Sequence, residues 1–121
     1  AAVTNIIPRD GAVYLTSLDN FVYKLSSVSG TVIWRRRVPN RLSIPAAITD
    51  SSILVSGVGD EEIFMIDRSR GTITNRLPLI TGKTVSGPPI PVGDHNIVVQ
   101  SVGSIILLSE KPCTPPGGKA K

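Results

Sequence analysis

The strongest constraint on the fold is an internal repeat of about forty residues. When Gly30 is placed on Gly71, YKLSSVSGTVI falls on FMIDRSRGTIT, and upstream DGAVYLTS from Asp10 falls on DSSILVSG from Asp50. A third copy, GDHNIVVQS, starts at Gly93 and continues through VGSIILLS, but no copy of SGTVIW follows it. Because a fixed period of this length marks stacked copies of one supersecondary unit, the repeat predicts a repeat architecture.

The unit itself reads as β-strands. Each copy holds short runs of β-branched or aromatic residues, and glycines and polar residues between the runs reverse the chain. Short strands that contain proline, SIPAAIT and SGPPIPV, precede the last two copies. Each unit is therefore predicted to be a four-stranded antiparallel meander, and the overall class is all-β. The strands are predicted at 13–16, 21–25, 31–37, 53–56, 63–66, 72–77, 97–100 and 105–108.

The central strands are apolar on both faces. Ile53-Leu54-Val55 and 105–108 (IILL) alternate poorly, whereas a sheet with one wet face alternates between apolar and polar residues. Sheets that pack against neighbours on both sides have no such wet face. Four-stranded units of this length, stacked radially, indicate the blades of a β-propeller.

The first copy, DGAVYLTSLDNFVYKLSSVSGTVIW, resembles a repeat of the pyrroloquinoline-quinone (PQQ)-like β-propellers. The resemblance covers residues 10 to 109. The matching positions are Asp10, Gly11, Val13, Tyr14, Ser17, Asp19, Val22, Tyr23, Leu25, Ser29, Gly30 and Trp34. The second copy keeps Asp50, Asp60, Phe64, Ile66, Asp67 and Gly71, and has Asn75 where the tryptophan belongs.

The resemblance implies roles for several of these residues. The tryptophan of the outer strand, Trp34, would dock against the neighbouring blade near the glycine turn and bury a large flat side chain. Gly30 would take a positive φ in its own turn. The repeat aspartates Asp10, Asp19 and Asp67 would cap turns by accepting hydrogen bonds from local backbone N–H groups.

Three blades are too few to close a propeller ring. We expect blades at about 1–40, 41–82 and 83–109, followed by a flexible Pro/Gly/Lys tail over 110–121 that holds the single cysteine, Cys113. The chain is then part of a larger propeller, a piece completed by other chains, or a different packing of the same units such as a β-sandwich. The missing outer strand of the third copy favours the last part of a longer propeller.

Few residues suggest chemistry. One histidine, His95, and one cysteine cannot build a histidine triad or a zinc site. The run from Asp60 to Glu62 lacks the ligand spacing of a calcium loop and is predicted to be a solvated hairpin tip. Quinoprotein dehydrogenases of the family hold PQQ with a tryptophan, an adjacent-cysteine disulfide and an acidic Ca²⁺ cluster, a set that this sequence lacks. We therefore expect no cofactor in this chain, and PQQ with Ca²⁺ only if a dehydrogenase site lies in other blades.

The leading functional hypothesis is a non-catalytic propeller scaffold, or protein-interaction module, that contacts other blades and a protein partner. The alternatives are part of a PQQ-dependent dehydrogenase and a ligand- or carbohydrate-binding propeller. The resemblance, whose members include a periplasmic scaffold, implies an extracytoplasmic location, whether periplasmic, secreted or lumenal. No stretch reaches the roughly 18 to 20 apolar residues of a transmembrane helix, so no membrane span is expected.

The only dense charge cluster is Arg35-Arg36-Arg37, in a chain of net charge +4. Three successive cations put charge on both faces of a strand, which an exposed outer strand tolerates and which discourages edge-to-edge pairing. The cluster is also a possible interaction site. Nucleic acid is not an expected partner, since no interleaved aromatic residues follow that could stack on bases.

Overall fold

The computed structural model describes residues 3–93 and 96–109. Within these ranges it contains eleven β-strands in three antiparallel sheets and no helix. The predicted all-β class is confirmed, and each sheet corresponds to one copy of the repeat. The predictions for His95 and for the tail with Cys113 fall outside the described residues.

The first sheet, blade 1, is a complete four-stranded meander. Its strands are β1 (Val3–Arg9), β2 (Ala12–Ser17), β3 (Phe21–Ser26) and β4 (Val32–Arg37), in the spatial order β1-β2-β3-β4. Tight turns join neighbouring strands, as they do in antiparallel hairpins. The outer strand, β4, pairs only with β3 and therefore leaves one edge open.

The second sheet, blade 2, repeats this order. It consists of β5 (Ala47–Ile48), β6 (Ser52–Val55), β7 (Glu62–Asp67) and β8 (Ile73–Pro78), arranged β5-β6-β7-β8. The inner strand β5 has only two residues, so the long inner strand of blade 1 has a much shorter equivalent here.

The third sheet, blade 3, has three strands among the described residues. These are β9 (Ile90–Val92), β10 (Asn96–Ser101) and β11 (Ser104–Ser109), in the order β11-β10-β9. The sheet corresponds to the third copy of the repeat, which the sequence shows without its last segment.

Blade 2 packs on both sides, which explains its continuous apolar strands. Because successive side chains of a strand point to opposite faces, Ile53 and Val55 pack against blade 1 while Leu54 packs against blade 3. The same alternation in β7 sends Phe64 towards blade 1 and Ile63 towards blade 3. The predicted two-sided packing of the central sheet is confirmed.

The two end faces are different, because no other described part of the chain covers them. On the far face of blade 3, the side chains of Ile105 and Leu107 are 78% and 61% exposed. On the far face of blade 1, Ile6 is 61% exposed. The three sheets therefore form an open stack. No helix in the described residues has the length and apolar character needed to cross a membrane.

Candidate functional site: the contact between the first two blades

Two glycine turns, 26–31 in blade 1 and 67–72 in blade 2, share one backbone pattern. The N–H of Gly30 donates to the carbonyl of Ser26 at 2.9 Å, and the N–H of Gly71 donates to the carbonyl of Asp67 at 2.8 Å. Gly30 and Gly71 have φ values of 74° and 75°. This left-handed conformation favours glycine, which has no Cβ to clash.

Trp34 of blade 1 lies directly on the glycine turn of blade 2. A Cβ atom at Gly71 would lie 2.5 Å from Cδ2 of the indole, so only glycine leaves room for the ring. The indole N–H donates a hydrogen bond of 2.9 Å to the carbonyl of Arg68. On its other side the half-buried ring meets Tyr14 of its own blade, with ring centroids 6.3 Å apart. Trp34 therefore joins blade 1 to blade 2 by both packing and a hydrogen bond.

The strand register shows which residue of blade 2 is equivalent to Trp34. Trp34 is paired with Lys24, one position before a β-bulge, and Asn75 is paired with Met65 at the same place before an equivalent bulge. Asn75 is therefore the structural equivalent of Trp34. Its side chain is exposed.

Arg68 is the polar centre of the contact, and its side chain is buried. Its Nε donates to the hydroxyl of Tyr14 at 3.1 Å, and its Nη1 donates to the carbonyls of Thr49 and Asp50 at 3.1 and 2.6 Å. Its Nη2 forms a 2.8 Å ion pair with the carboxylate of Asp10. A single side chain of blade 2 thus holds the aromatic ring and the turn of blade 1 in place.

Sequence reasoning missed Arg68 because the repeat gives no signal for it. Its equivalent in blade 1 is Ser27, since the N–H groups of Ser27 and Arg68 donate to the carbonyls of Gly11 and Ser51 at equivalent turns. An arginine in a polar turn is ordinarily solvated. Only the neighbouring blade, more than fifty residues away in sequence, turns this position into a buried one.

The prediction that Asp10 caps its own turn is wrong, because its carboxylate is used between blades. The hydrogen bond from Arg68 holds the pKa of Asp10 below its ordinary value, and the charges of Arg68 and Arg9 act in the same direction. Arg9 in turn reaches the carboxylate of Asp50, the repeat equivalent of Asp10, at 2.7 Å. These ion pairs tie blades 1 and 2 together at one edge.

The other two repeat aspartates differ from each other. Asp67 accepts a 2.8 Å hydrogen bond from the N–H of Arg70, which is a local turn cap of the predicted kind. Asp19 is exposed, and its own backbone N–H donates to Oγ of Ser17 at 3.4 Å. Gly11 lies in the turn after Asp10 with a φ of 77°.

Two carboxylates of the acidic run at residues 60–62 make local contacts. The run was predicted to be a solvated hairpin tip, but Asp60 is half-buried. Its carboxylate accepts a 2.6 Å hydrogen bond from the N–H of Gly57. Burial raises the pKa of Asp60. Glu62 lies 3.9 Å from Arg76, and the described residues hold no group of three acidic, His or Cys side chains that could bind a metal.

The arginine cluster lies on the open edge strand β4. Arg36 points towards blade 2 and donates to the carbonyl of Gly71. Arg35 and Arg37 are exposed, and the guanidinium of Arg35 lies 5.4 Å from the ring centroid of Phe21. Of the three, one arginine serves the contact between blades and two face solvent.

The aromatic residues of the repeat, Tyr23 and Phe64, hold equivalent positions with different surroundings. Phe64 is buried against blade 1, whereas Tyr23 is half-exposed on the far face of blade 1, where its ring lies 5.9 Å from that of Phe21. The difference follows from the position of each blade in the stack.

Solved structures resemble this arrangement. BamB from Moraxella catarrhalis matches with a TM-score of 0.71 and 15% identity over 88% of this chain. A quinohemoprotein alcohol dehydrogenase from Comamonas testosteroni matches with a TM-score of 0.67 and 15% identity over 83% of the chain. The WD40 β-propeller domain of Doa1 gives a TM-score of 0.72 and 11% identity over 92%. No protein-family model and no curated protein matches the sequence.

These similarities identify the fold. The chain covers 33% of BamB, 17% of the dehydrogenase and 37% of the Doa1 domain. It is thus a partial β-propeller of about three blades, and the predicted resemblance to PQQ-like propellers is confirmed at the level of the fold.

Proposed function

We propose that the chain is part of a larger, non-catalytic β-propeller that binds a protein partner through the outer rim of its blades. The polar residues that the structure brings together, Arg68, Tyr14 and Asp10, are occupied in joining blades. Their arrangement supports an architectural role for this contact rather than a catalytic one.

The proposal rests on the outer rim, which is formed by the outer strands β4 and β8. Arg35 of β4 and Arg76 of β8 hold the same place in successive outer strands, one residue after Trp34 and Asn75. Arg76 is 61% exposed and lies 5.1 Å from the ring of Phe64, much as Arg35 lies near Phe21. The rim therefore repeats an exposed guanidinium that lies over an aromatic ring.

Such pairs suit protein recognition. Arginine is enriched in protein interfaces, and its guanidinium binds carboxylates through two parallel hydrogen bonds. We infer a partner with acidic side chains that contacts the two outer strands, β4 and β8. An extracytoplasmic location is proposed with this function, on the basis of the resemblance to PQQ-like propellers.

The test is capture of partners from an extract of the source organism by the immobilised chain. A specific partner should be retained by the wild type, released as salt is raised, and lost with the double variant Arg35→Glu and Arg37→Glu. The control is Arg70→Glu, which reverses an exposed charge in a turn outside β4. Equal capture by the wild type and the double variant would contradict the proposal.

The dehydrogenase alternative is favoured only by the similarity of fold to the quinohemoprotein alcohol dehydrogenase. Under it, the quinone and Ca²⁺ would be held by other blades. Dye reduction by the full-length protein, reconstituted with PQQ and Ca²⁺, would support that alternative over the scaffold.

A further inference from the structure

The outer edge of blade 1 carries backbone groups that no described strand pairs. Strand β4 bonds to β3 on one side only. The N–H of Val38 donates to the carbonyl of Asn20 at 2.8 Å, which makes these two residues a hydrogen-bonded pair that continues the register of β3 and β4. Bonded and non-bonded pairs alternate along an antiparallel ladder, so Arg36 also bonds towards β3. The N–H and C=O groups of Arg35 and Arg37 therefore point away from the sheet.

The equivalent edge of blade 2 is partly closed. The N–H of Leu79 donates to the carbonyl of Glu61 at 2.9 Å. The same alternation therefore turns the backbone of Arg76 and Pro78 outwards. Proline has no N–H to donate, and natural proteins use it on edge strands to prevent pairing with another strand. Of these two residues only Arg76 has an outward donor, and its guanidinium lies 3.9 Å from the carboxylate of Glu62.

The side chains of β4 decide which strand can pair with it. Arg35 and Arg37 are exposed and lie two positions apart, so they share one face of the sheet, where the ring of Phe21 lies 5.4 Å from the guanidinium of Arg35. Opposite charges across a strand pair stabilise it, and like charges destabilise it. Pairing with β4 of a second copy would bring two arginine clusters together. The edge therefore favours a strand with acidic side chains.

We propose that β4 binds an extended acidic segment of a partner protein, which adds to blade 1 as a further antiparallel strand. The backbone of the segment bonds to the outward groups of Arg35 and Arg37, and carboxylates at alternate positions of the segment lie opposite the two guanidinium groups. The inference rests on the proposed function, since it specifies how the acidic partner contacts the rim. Packing between blades leaves this position accessible: Arg76, its equivalent in blade 2, is 61% exposed although blade 1 covers that face.

The test is NMR spectroscopy of the 121-residue chain, titrated with a synthetic peptide of about seven residues that alternates glutamate with valine. The peptide should shift the amide signals of β4 and slow the hydrogen exchange of Arg35 and Arg37, while exchange at Arg76 should not change. A peptide with lysine in place of each glutamate is the control and should not bind. Signal shifts on the exposed end faces of blades 1 and 3, without protection in β4, would overturn the proposal.

Two methylated peptides separate strand addition from attraction between charges alone. In an antiparallel pair, the residues opposite Arg35 and Arg37 direct their own N–H groups towards β4. N-methylation of the glutamate residues should therefore weaken binding roughly tenfold, whereas N-methylation of the valine residues, whose amides face solvent, should leave it unchanged. Equal affinities, or the reverse order, would overturn strand addition. Equal affinities would still be compatible with the proposed function, which requires only the charges.

A variant of the chain tests the outward N–H itself. Arg37→Pro gives β4 the residue that blade 2 has at the equivalent place, Pro78. The matched control is Arg37→Gln, which removes the charge and keeps the N–H. Strand addition predicts that the proline variant binds the peptide about fivefold more weakly than the glutamine variant. Equal affinities of the two folded variants would contradict the proposal.

The two proposals fail in different ways. Should Arg37→Pro not fold, the methylated peptides decide the matter with the wild-type chain. Failure of the proposed function appears separately, as capture of a partner that does not depend on the charges of Arg35 and Arg37. Strand addition fails when the charges matter and the backbone amides do not.

Discussion

The two contacts between blades are built differently, although the same repeat forms both. Blades 1 and 2 join through an indole on a glycine, a buried arginine and ion pairs that surround the apolar centre. Blades 2 and 3 join through aliphatic side chains of their central strands. At that second contact Val85, which is fully buried, adds backbone hydrogen bonds to Gly59 and Asp60 and a bridge to Ser101.

Both contacts pack apolar sheet faces, and each adds directional contacts of a different kind. The first contact adds side-chain hydrogen bonds and an ion pair, which give Trp34 and Arg68 fixed positions. The second contact is fixed instead by the segment that connects blades 2 and 3, through the hydrogen bonds and the bridge of Val85. The variants below separate these two solutions.

Trp34→Ala should have the largest effect. It removes a half-buried indole and its hydrogen bond, and the expected loss in the free energy of unfolding is about 3 kcal/mol, at the low end for such truncations. Urea titration measures it. Asn75→Ala, at the equivalent exposed position, is the control and should change stability by less than about 0.5 kcal/mol. Equal effects of the two variants would remove the distinction between the contacts.

Arg68→Met should have the second-largest effect, a loss of about 2 kcal/mol in the free energy of unfolding. The variant retains much of the apolar stem but leaves the Tyr14 hydroxyl and two carbonyls without their donor. Arg70→Met, an exposed neighbour in the same turn, is the control. The loss should also shrink when Tyr14→Phe is already present, since the tyrosine hydroxyl then needs no partner. An unchanged loss in that background would show that Arg68 acts through something other than Tyr14.

Asp10→Asn should give a smaller effect that depends on pH. The pKa of Asp10 is lowered in the folded chain, so the charged carboxylate adds stability that is complete above its ordinary value of 3.8 and is lost as the pH falls through the folded pKa. The difference in the free energy of unfolding between wild type and variant should thus be constant from about pH 7 to about pH 4 and shrink below that. A difference that already shrinks between about pH 6 and about pH 5 would contradict the ion pair with Arg68.

Asp60→Asn should have the smallest effect and the opposite sign. Burial raises the pKa of Asp60, so its charge weakens the fold at neutral pH, while the amide oxygen of Asn still accepts the hydrogen bond from Gly57. A gain below about 0.5 kcal/mol is expected near pH 7, and it should vanish below pH 3.8, where the wild-type carboxylate is also neutral. Asp60→Ala, which lacks the acceptor, should destabilise instead.

The sequence was sufficient to predict the blades but not the polar contacts between them. Strand positions and the equivalence of Asn75 with Trp34 follow from local patterns of turns and apolar residues. The first and second copies of the repeat both show these patterns. The two-sided burial of blade 2 was predicted from Ile53-Leu54-Val55, but the equally apolar run 105–108 of blade 3 has Ile105 and Leu107 exposed on one face. These features need no knowledge of which residue faces which across a blade boundary.

Arg68 and Asp10 show where such reasoning stops. Their ion pair joins residues 58 positions apart, and its strength depends on the distance between two turns that belong to different sheets. The local sequence at Asp10 fits a turn cap equally well, and only the neighbouring guanidinium decides its partner. A polar residue used between blades therefore looks like an ordinary surface residue until the sheets are placed side by side.

Native-state hydrogen exchange of the 121-residue chain tests the central claim most directly, namely that blade 2 is the only one of the three sheets packed on both faces. Amide protons of β6 and β7 should exchange most slowly, those of β2 and β3 next, and those of β10 and β11 fastest, since Ile105 and Leu107 leave one side of blade 3 in water. Protection in β10 and β11 equal to that in β6 and β7 would contradict the open stack of three blades.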